Sequence, residues 1–217
     1  MKITWYGQSF FQILTKKRKE ALVKIVIDPF DEKIGLRVTT LKADILLVTH
    51  HHHNHDNVGA IKDNPFLISG PGEYEIKKVF IQGIPAFHDN LEGKERGKIT
   101  VYTIGTEGMK VCHLGDLGQR ELGPEQLEQI GDIDILMIPV GGVYTISAKE
   151  ATKIISQLEP KIVIPMHYRI PKLKIKLEEL QKFLKVMGIK TPETLKTFSI
   201  KKKNLPKEGM KIIILKP

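Results

Sequence analysis

The chain holds one cysteine, Cys112, in 217 residues, which leaves no partner for an internal disulfide and excludes a cysteine-rich zinc finger. No apolar run approaches the length that crosses a bilayer. Met1-Lys2-Ile3-Thr4-Trp5-Tyr6 enters a strand-like pattern directly, without a basic-then-apolar leader or a small-residue cleavage site. These absences set the expectation of a reducing, cytoplasmic setting and no membrane insertion. Linkers, low-complexity tracts and short repeats are also missing, so residues 1–217 read as a single domain with enough chain to bury a substantial core.

Aromatic residues are scarce at 6%, and that bears on the charge. Lys and Arg total 34 against 25 acids, a formal charge of +9, with much of the excess between Lys172 and Lys203. A basic surface attracts nucleic acid. Here, however, Lys and Glu alternate on amphipathic segments, a pattern common on heat-adapted surfaces, and no aromatic is interleaved with Lys201-Lys202-Lys203 for bases to stack on. Nucleic acid is an allowed partner, but not the favoured one.

Short β-rich runs fill the first half: Lys2 to Tyr6, Phe10 to Leu14, Ala21 to Asp28, Ile45 to Thr49, Phe66 to Ser69, Val79 to Ile84, Ile99 to Ile104 and Lys110 to His113. The second half alternates. A short helix from Pro124 to Gly131 precedes a buried strand from Ile133 to Pro139. A helix from Ser147 to Leu158 follows, with Ser147 as N-cap and Glu150 completing a capping box. Then come a strand from Lys161 to Pro165, an amphipathic helix from about Leu173 to Met187 ended by Gly188, and a last strand from Met210 to Leu215. Residues 191–206 are the least regular and read as a loosely packed surface excursion. Alternating strands and helices around largely β material predict two packed sheets with helices on their outer faces.

The densest chemistry is Thr49-His50-His51-His52-His53-Asn54-His55-Asp56, delivered by the apolar run Ile45-Leu46-Leu47-Val48. In an extended stretch side chains alternate, so His50 and His52 face one way and can chelate one divalent ion. His55, beyond the turn, suits a neighbouring ion. His51 and His53 point elsewhere and receive no role. His88, Asp116 and His167 each follow a β run and precede a turn; alone each would be unremarkable, together they supply a metal site from several strand ends. Cys112 sits in an apolar strand and reads as core.

The sequence resembles the metallo-β-lactamase superfamily, in the branch of ascorbate-6-phosphate lactonase and the N-acyl-phosphatidylethanolamine phospholipases. The matching pieces are Ile27-Asp28-Pro29-Phe30, Thr49-His50-x-His52-x-Asn54-His55, His88, Gly115-Asp116-Leu117-Gly118 and Pro165-Met166-His167. The resemblance implies an αββα sandwich with metals at the open edge between the sheets. His50, His52 and His88 would hold a first ion, His55 and His167 a second, with Asp116 between them; Asp28, and with less reason His113, would orient ligands from behind. Two residues depart from the pattern. Asn54 stands where the family carries Asp, removing a charge and a base from the site, and Gln8 stands where this branch often has His.

The reaction these residues suggest is hydrolysis by a metal-activated water, with Asp116 and Asn54 at the reacting centre and a small phosphorylated, ester or lactone-like substrate. Zinc leads as the metal, with manganese or iron as alternatives and one or two ions bound. Arg96, with Lys94 and Lys98, and Tyr144 in Gly141-Gly142-Val143-Tyr144-Thr145, are candidate substrate contacts; Gly70-Pro71-Gly72-Glu73-Tyr74 is a second candidate rim. A nuclease or phosphodiesterase, and a metal-binding protein with little hydrolytic activity because of Asn54, are the competing readings. A homo-oligomer stays open.

Overall fold

The computed structural model describes residues 1–16 and 21–217. In chain order the strands are β1 (Lys2–Gly7), β2 (Phe10–Thr15), β3 (Val23–Ile27), β4 (Leu41–Lys42), β5 (Ile45–Leu47), β6 (Ile61–Lys62), β7 (Phe66–Ile68), β8 (Gly72–Ile76), β9 (Val79–Phe87), β10 (Lys98–Thr106), β11 (Met109–His113), β12 (Ile135–Pro139), β13 (Ile162–Met166), β14 (Glu193–Leu195), β15 (Thr197–Ser199) and β16 (Lys211–Leu215). The helices are α1 (Pro124–Ile130), α2 (Ala148–Leu158) and α3 (Leu180–Val186).

Two large mixed sheets result, in the orders β15-β1-β2-β3-β5-β7 and β14-β16-β13-β12-β11-β10-β9-β8, and β4 pairs with β6 apart from them. Strand alternation explains why they pack on each other. On β3, Ile25 and Ile27 enter the large core while Val26 faces a smaller one; on β5, Ile45 and Leu47 divide from Leu46 and Val48 in the same way. The smaller core is closed by an irregular segment carrying Phe30, Ile34, Ala60 and Ile61, with short 3-10 turns at Glu32–Ile34 and Val58–Ala60. The second sheet carries α-helical cover. Its β12 and β13 are buried at every position, which is why they read as unbroken apolar runs. The helix α2 turns Ala148, Ala151, Ile154, Ile155 and Leu158 inward, and Ser147 with Glu150 form the expected reciprocal cap at 3.3 and 2.7 Å. No helix among the described residues is long and apolar enough to cross a membrane.

Two expectations are corrected. The helix foreseen from Leu173 is confined to Leu180–Val186. The backbone ahead of it is spent elsewhere: Lys174 N donates to Ile34 O and Glu178 N to Gly141 O, both at 2.8 Å, so tertiary bonds displace the helical ones. Residues 191–206 are likewise no loose excursion. There β14 runs parallel to β16 and β15 antiparallel to β1, so consecutive strands seal one edge of each sheet, with Phe198 buried. Runs of three residues are too short to show a period.

At the start of β5, Asp44 ties its neighbours together. Its carboxylate accepts from Lys24 N at 2.8 Å and pairs with Lys77, and its backbone bonds Lys24 and residue 66. Burial opposes ionisation, but Lys77 and Lys24 outweigh it and hold the Asp44 carboxyl below its usual value. A group so shifted stabilises the fold above its unfolded pKa, and the gain is lost as pH falls through the folded one. Asp44→Asn is therefore expected to cost about 1 kcal/mol at pH 7, with a smaller gap to wild type at about pH 3. Urea melts at both pH values check this, and an equal gap at both would refute it.

Candidate metal centre

Strand ends from both sheets meet at one edge. From the first sheet, β3 ends at Asp28 and β5 leads into the histidine loop; from the second, β9 ends at His88, β11 leads to Asp116 and β13 ends at His167. The sheets are pinned at this edge, since Thr100 N donates to Thr49 O at 2.8 Å and Tyr102 OH to Val48 O at 3.0 Å. Strained backbone occurs here as well. Gln8, Asp28 and His167 all have left-handed φ values, 51, 48 and 51°, a conformation that costs a non-glycine residue roughly 1–3 kcal/mol and persists only where surroundings impose it.

The ligand-capable atoms converge. Asp116 Oδ2 lies 3.0 Å from His55 Nε2, 3.2 Å from His167 Nε2 and 3.7 Å from His88 Nε2. One set of ligand atoms within 4.8 Å of one another comes from His50, His52 and His88, and another from His50, His55 and Asp116. The buried His50 Nε2, His55 Nε2 and His167 Nε2 have no hydrogen-bond partner. Donors about 2.1 Å from a common ion stand roughly 3–3.4 Å apart without bonding to each other, so the residues present fit a divalent metal. Unsatisfied buried imidazole nitrogens are otherwise costly.

The surroundings fix which nitrogens are free. The Asp28 carboxylate accepts from Thr49 N (2.8 Å), from Thr49 Oγ1 (2.7 Å) and from His55 Nδ1 (2.9 Å), leaving His55 Nε2 as the ring nitrogen that faces Asp116. Thr49 Oγ1 has given its proton to Asp28, so at 2.9 Å from His50 Nδ1 it accepts, and His50 Nε2 is left free in turn. Asp116 is held from the other side: Ser9 Oγ donates to its Oδ1 at 3.2 Å, and His113, between Ser9 O and Gly115 N at 3.1 Å each, braces the turn. His113 thus touches the Asp116 turn rather than a ligand ring.

Electrostatics agree with this bonding. Burial first, then the neighbouring histidines, lowers the pKa of His50, His52 and His88, so they stay neutral as ligands must. Burial disfavours the charge on Asp116, but His167 and His55 overcome it and hold the carboxyl well below its usual range. Burial also opposes charge on His55, yet Asp116 and Asp28 raise it to about 10. A cation belongs between those two carboxylates. Close backbone packing sets the ligand loops: a Cβ on Gly118 would lie 2.2 Å from His88 O, and one on Gly141 would lie 2.0 Å from His167 O.

A cleft of about 460 Å³ opens over these atoms, lined by His52, His53, Asn54, Asp116, His88 and His167, with Arg96, Tyr144, Lys174, Ile175 and Lys176 at its mouth. Of the candidate contacts, Arg96 and Tyr144 come together, the guanidinium 4.7 Å from the ring centre. Lys94, Lys98 and the Gly70–Tyr74 stretch do not border the cleft; Gly72 to Tyr74 lie in β8, at the edge of the second sheet. His51 is exposed 3.6 Å from Asp56, whereas His53 does reach the cleft lining. Cys112 is buried and its thiol pushed up to about 12, an inert core position. Ser9, Thr49 and Asp89 were not singled out from the sequence. Asp89 accepts four backbone N–H groups between Leu91 and Arg96 and so shapes the loop carrying Arg96. Only an Asx-type turn signal beside Gly93 marked it.

A β-lactamase superfamily domain model matches residues 2–167, a span that ends on the last of these ligand-capable residues. The chain belongs to the metallo-β-lactamase superfamily. It is similar to a UPF0173 metal-dependent hydrolase of Thermococcus onnurineus, 30% identical over 212 residues, covering 85% of this chain and 92% of the relative. Among solved structures it is similar to a candidate Zn-dependent hydrolase of the superfamily from Thermotoga maritima, 37% identical with a TM-score of 0.79, over 99% of this chain and 97% of that one. Igni18, a metallo hydrolase of Ignicoccus hospitalis, is 22% identical with a TM-score of 0.64 over 92% of this chain and 99% of its own, a likeness of fold.

Asp28 is the support whose loss reaches two ligands at once. Asp28→Asn is expected to lower metal affinity by about 10- to 100-fold, read by competition with a chromophoric chelator; unchanged affinity would show that the Asp28 bonds do not orient the ligands.

Proposed function

We propose that the protein is a metal-dependent hydrolase of small molecules, with His50, His52 and His88 holding one divalent ion, His55 and His167 a second, and Asp116 between them. The observation that carries this is the convergence of His55, His167 and His88 on Asp116 Oδ2 at 3.0, 3.2 and 3.7 Å, with His55 Nε2 and His167 Nε2 buried and satisfied by no other group. A nitrogen-rich set with one carboxylate suits zinc best. Bound there, the metal would lower the pKa of water toward about 7 and polarise the bond to be broken.

The chain's own groups divide the remaining work. Asp116, with its depressed pKa, acts as a ligand; Ser9 holds Oδ1 so that Oδ2 faces the cluster. Asn54 lines the cleft and offers an amide to hydrogen-bond a substrate oxygen, but it cannot take a proton. The exposed mouth leaves that proton to solvent. Arg96, fixed by Tyr144 and by the loop around Asp89, stands ready for the substrate. The small-molecule reading is favoured over a nuclease by where the Lys201-Lys202-Lys203 cluster lies: Lys202 packs beside Gly108 in the β10–β11 turn, at the end of β11 opposite to the one that leads to Asp116.

Chelation, or Asp116→Asn, is expected to lower hydrolysis of generic lactone and phosphodiester substrates by about 100-fold or more, with activity restored by Zn or Mn only in the chelated wild type. Retained activity in metal-free protein would overturn the reading. Asn54 gives a second measurement. The wild type should keep about one tightly held equivalent per chain and Asn54→Asp about two, because a carboxylate adds charge at the second position; two tight equivalents in the wild type, by elemental analysis, would refute this.

A further inference from the structure

Residues 172–178, beyond the span matched by the family domain, form a strap over the cleft. One end is tied to the segment on the first sheet by Lys174 N to Ile34 O, the other to the loop after β12 by Glu178 N to Gly141 O. Glycine makes both crossings close: a Cβ on Gly35, at φ 90°, would lie 2.4 Å from Lys172 O, and one on Gly142 would lie 2.5 Å from Glu178 Oε2. Leu177 is buried and Leu173 packs on the core, so the strap is fixed by its apolar residues and its backbone. Lys174 and Lys176, alternating with them, line the cleft mouth together with Arg96.

The charge balance of this cleft is one-sided. Its lining holds three permanent cations against one carboxylate, Asp116, which is turned to the histidines. Glu178, the nearest acid on the strap, lies under Gly142 and pairs with Lys182. Asn54 withholds the further negative charge that Asp would bring. A cleft of about 460 Å³ accepts a metabolite-sized molecule, and fixed cations at its mouth raise the local concentration of anions.

We propose that Lys174, Lys176 and Arg96 form a cationic collar that selects small substrates carrying a compact anionic group, phosphate or carboxylate, apart from the bond that is hydrolysed. The proposal rests on the hydrolase reading for its reaction, but the collar can be measured without it. The holoenzyme is assayed on glucono-δ-lactone and on its 6-phosphate, a pair that differs only in the anion, and the binding of glucose 6-phosphate is measured by calorimetry. The phosphorylated lactone is expected to have a kcat/KM about 10-fold higher, the scale of two or three exposed ion pairs. Lys174→Gln/Lys176→Gln should bring the ratio near one and weaken glucose 6-phosphate binding by about the same factor, and Lys174→Glu/Lys176→Glu should reverse the preference. Metal content and melting temperature serve as folding controls.

A wild-type ratio near one, with both lactones hydrolysed, would overturn the collar and leave the hydrolase reading standing. No hydrolysis of either lactone, with sugar-phosphate binding that falls in the lysine variants, would support the collar and count against that reaction. Glucose 6-phosphate binding that survives both double variants would place the anion away from Lys174 and Lys176 and refute the collar. Tighter, lysine-dependent binding of a 20-residue oligothymidylate than of glucose 6-phosphate would overturn the small-molecule assignment in favour of nucleic acid.

Discussion

The hydrogen bonds that converge on Asp28 are the constraint on which the rest of the centre depends. One carboxylate at the end of β3 takes the backbone and hydroxyl of Thr49 and the Nδ1 of His55. It therefore fixes where the loop after β5 begins and which nitrogen each of two histidines presents, His55 directly and His50 through the Thr49 hydroxyl. Burying such a group without partners would cost several kcal/mol. With three donors supplied, burial becomes the means of orientation, because in a dry site few alternative bonds compete. The left-handed backbone of Asp28 is the strain that this network sustains.

Asp28 positions the first sheet's contribution; the second sheet must bring its own ligands to the same point. Close contact achieves this. Gly118 lets the Asp116 turn lie against the His88 backbone, and Gly141 lets the loop after β12 lie against that of His167, at separations no Cβ would allow. His167 N also donates to Gln8 O, which joins the end of β13 to the β1–β2 turn. Since His88, Asp116 and His167 sit close beyond strands held in a ladder of register, small shifts in any one strand are resisted by its neighbours. The site is built where two hydrogen-bonded sheets meet at an edge.

What the sequence made legible was whatever is local. The histidine cluster was legible as a ligand loop and the Ser147–Glu150 box from helix-end chemistry, but the extended alternation expected of His50 and His52 is replaced by tight turns, with His52 N bonded to His50 O and His55 N to His52 O. Most strands were legible from apolar alternation, and Asp116 from its place after a β run. Interactions with a long sequence separation were not. Ser9 reaches Asp116 across 107 positions, and Thr49 is an ordinary strand residue until Asp28 is placed beside it. The strap failed for the opposite reason: Leu173, Leu177, Leu180, Leu184 and Met187 recur at helical spacing, but Ile34 and Gly141 offer the N–H groups of its first residues better partners. The strands β14 and β15 show the same override at three residues each.

Asn54 and the strap lysines bear on one quantity, the charge of the cleft. Aspartate in place of Asn54 would hold a second ion firmly and compensate part of its charge. With Asn54 the lining retains Asp116 alone against its cations, Arg96, Lys174 and Lys176. Loss of a ligand therefore weakens the grip on metal while strengthening attraction for an anion, since the same missing negative charge enters both balances. An anionic group held at the collar would itself lessen the repulsion between the ions below and the cations above. On this reasoning the substrate contributes part of the charge that the chain omits, and the substitution at position 54 and the basic strap over the cleft are two sides of one electrostatic arrangement.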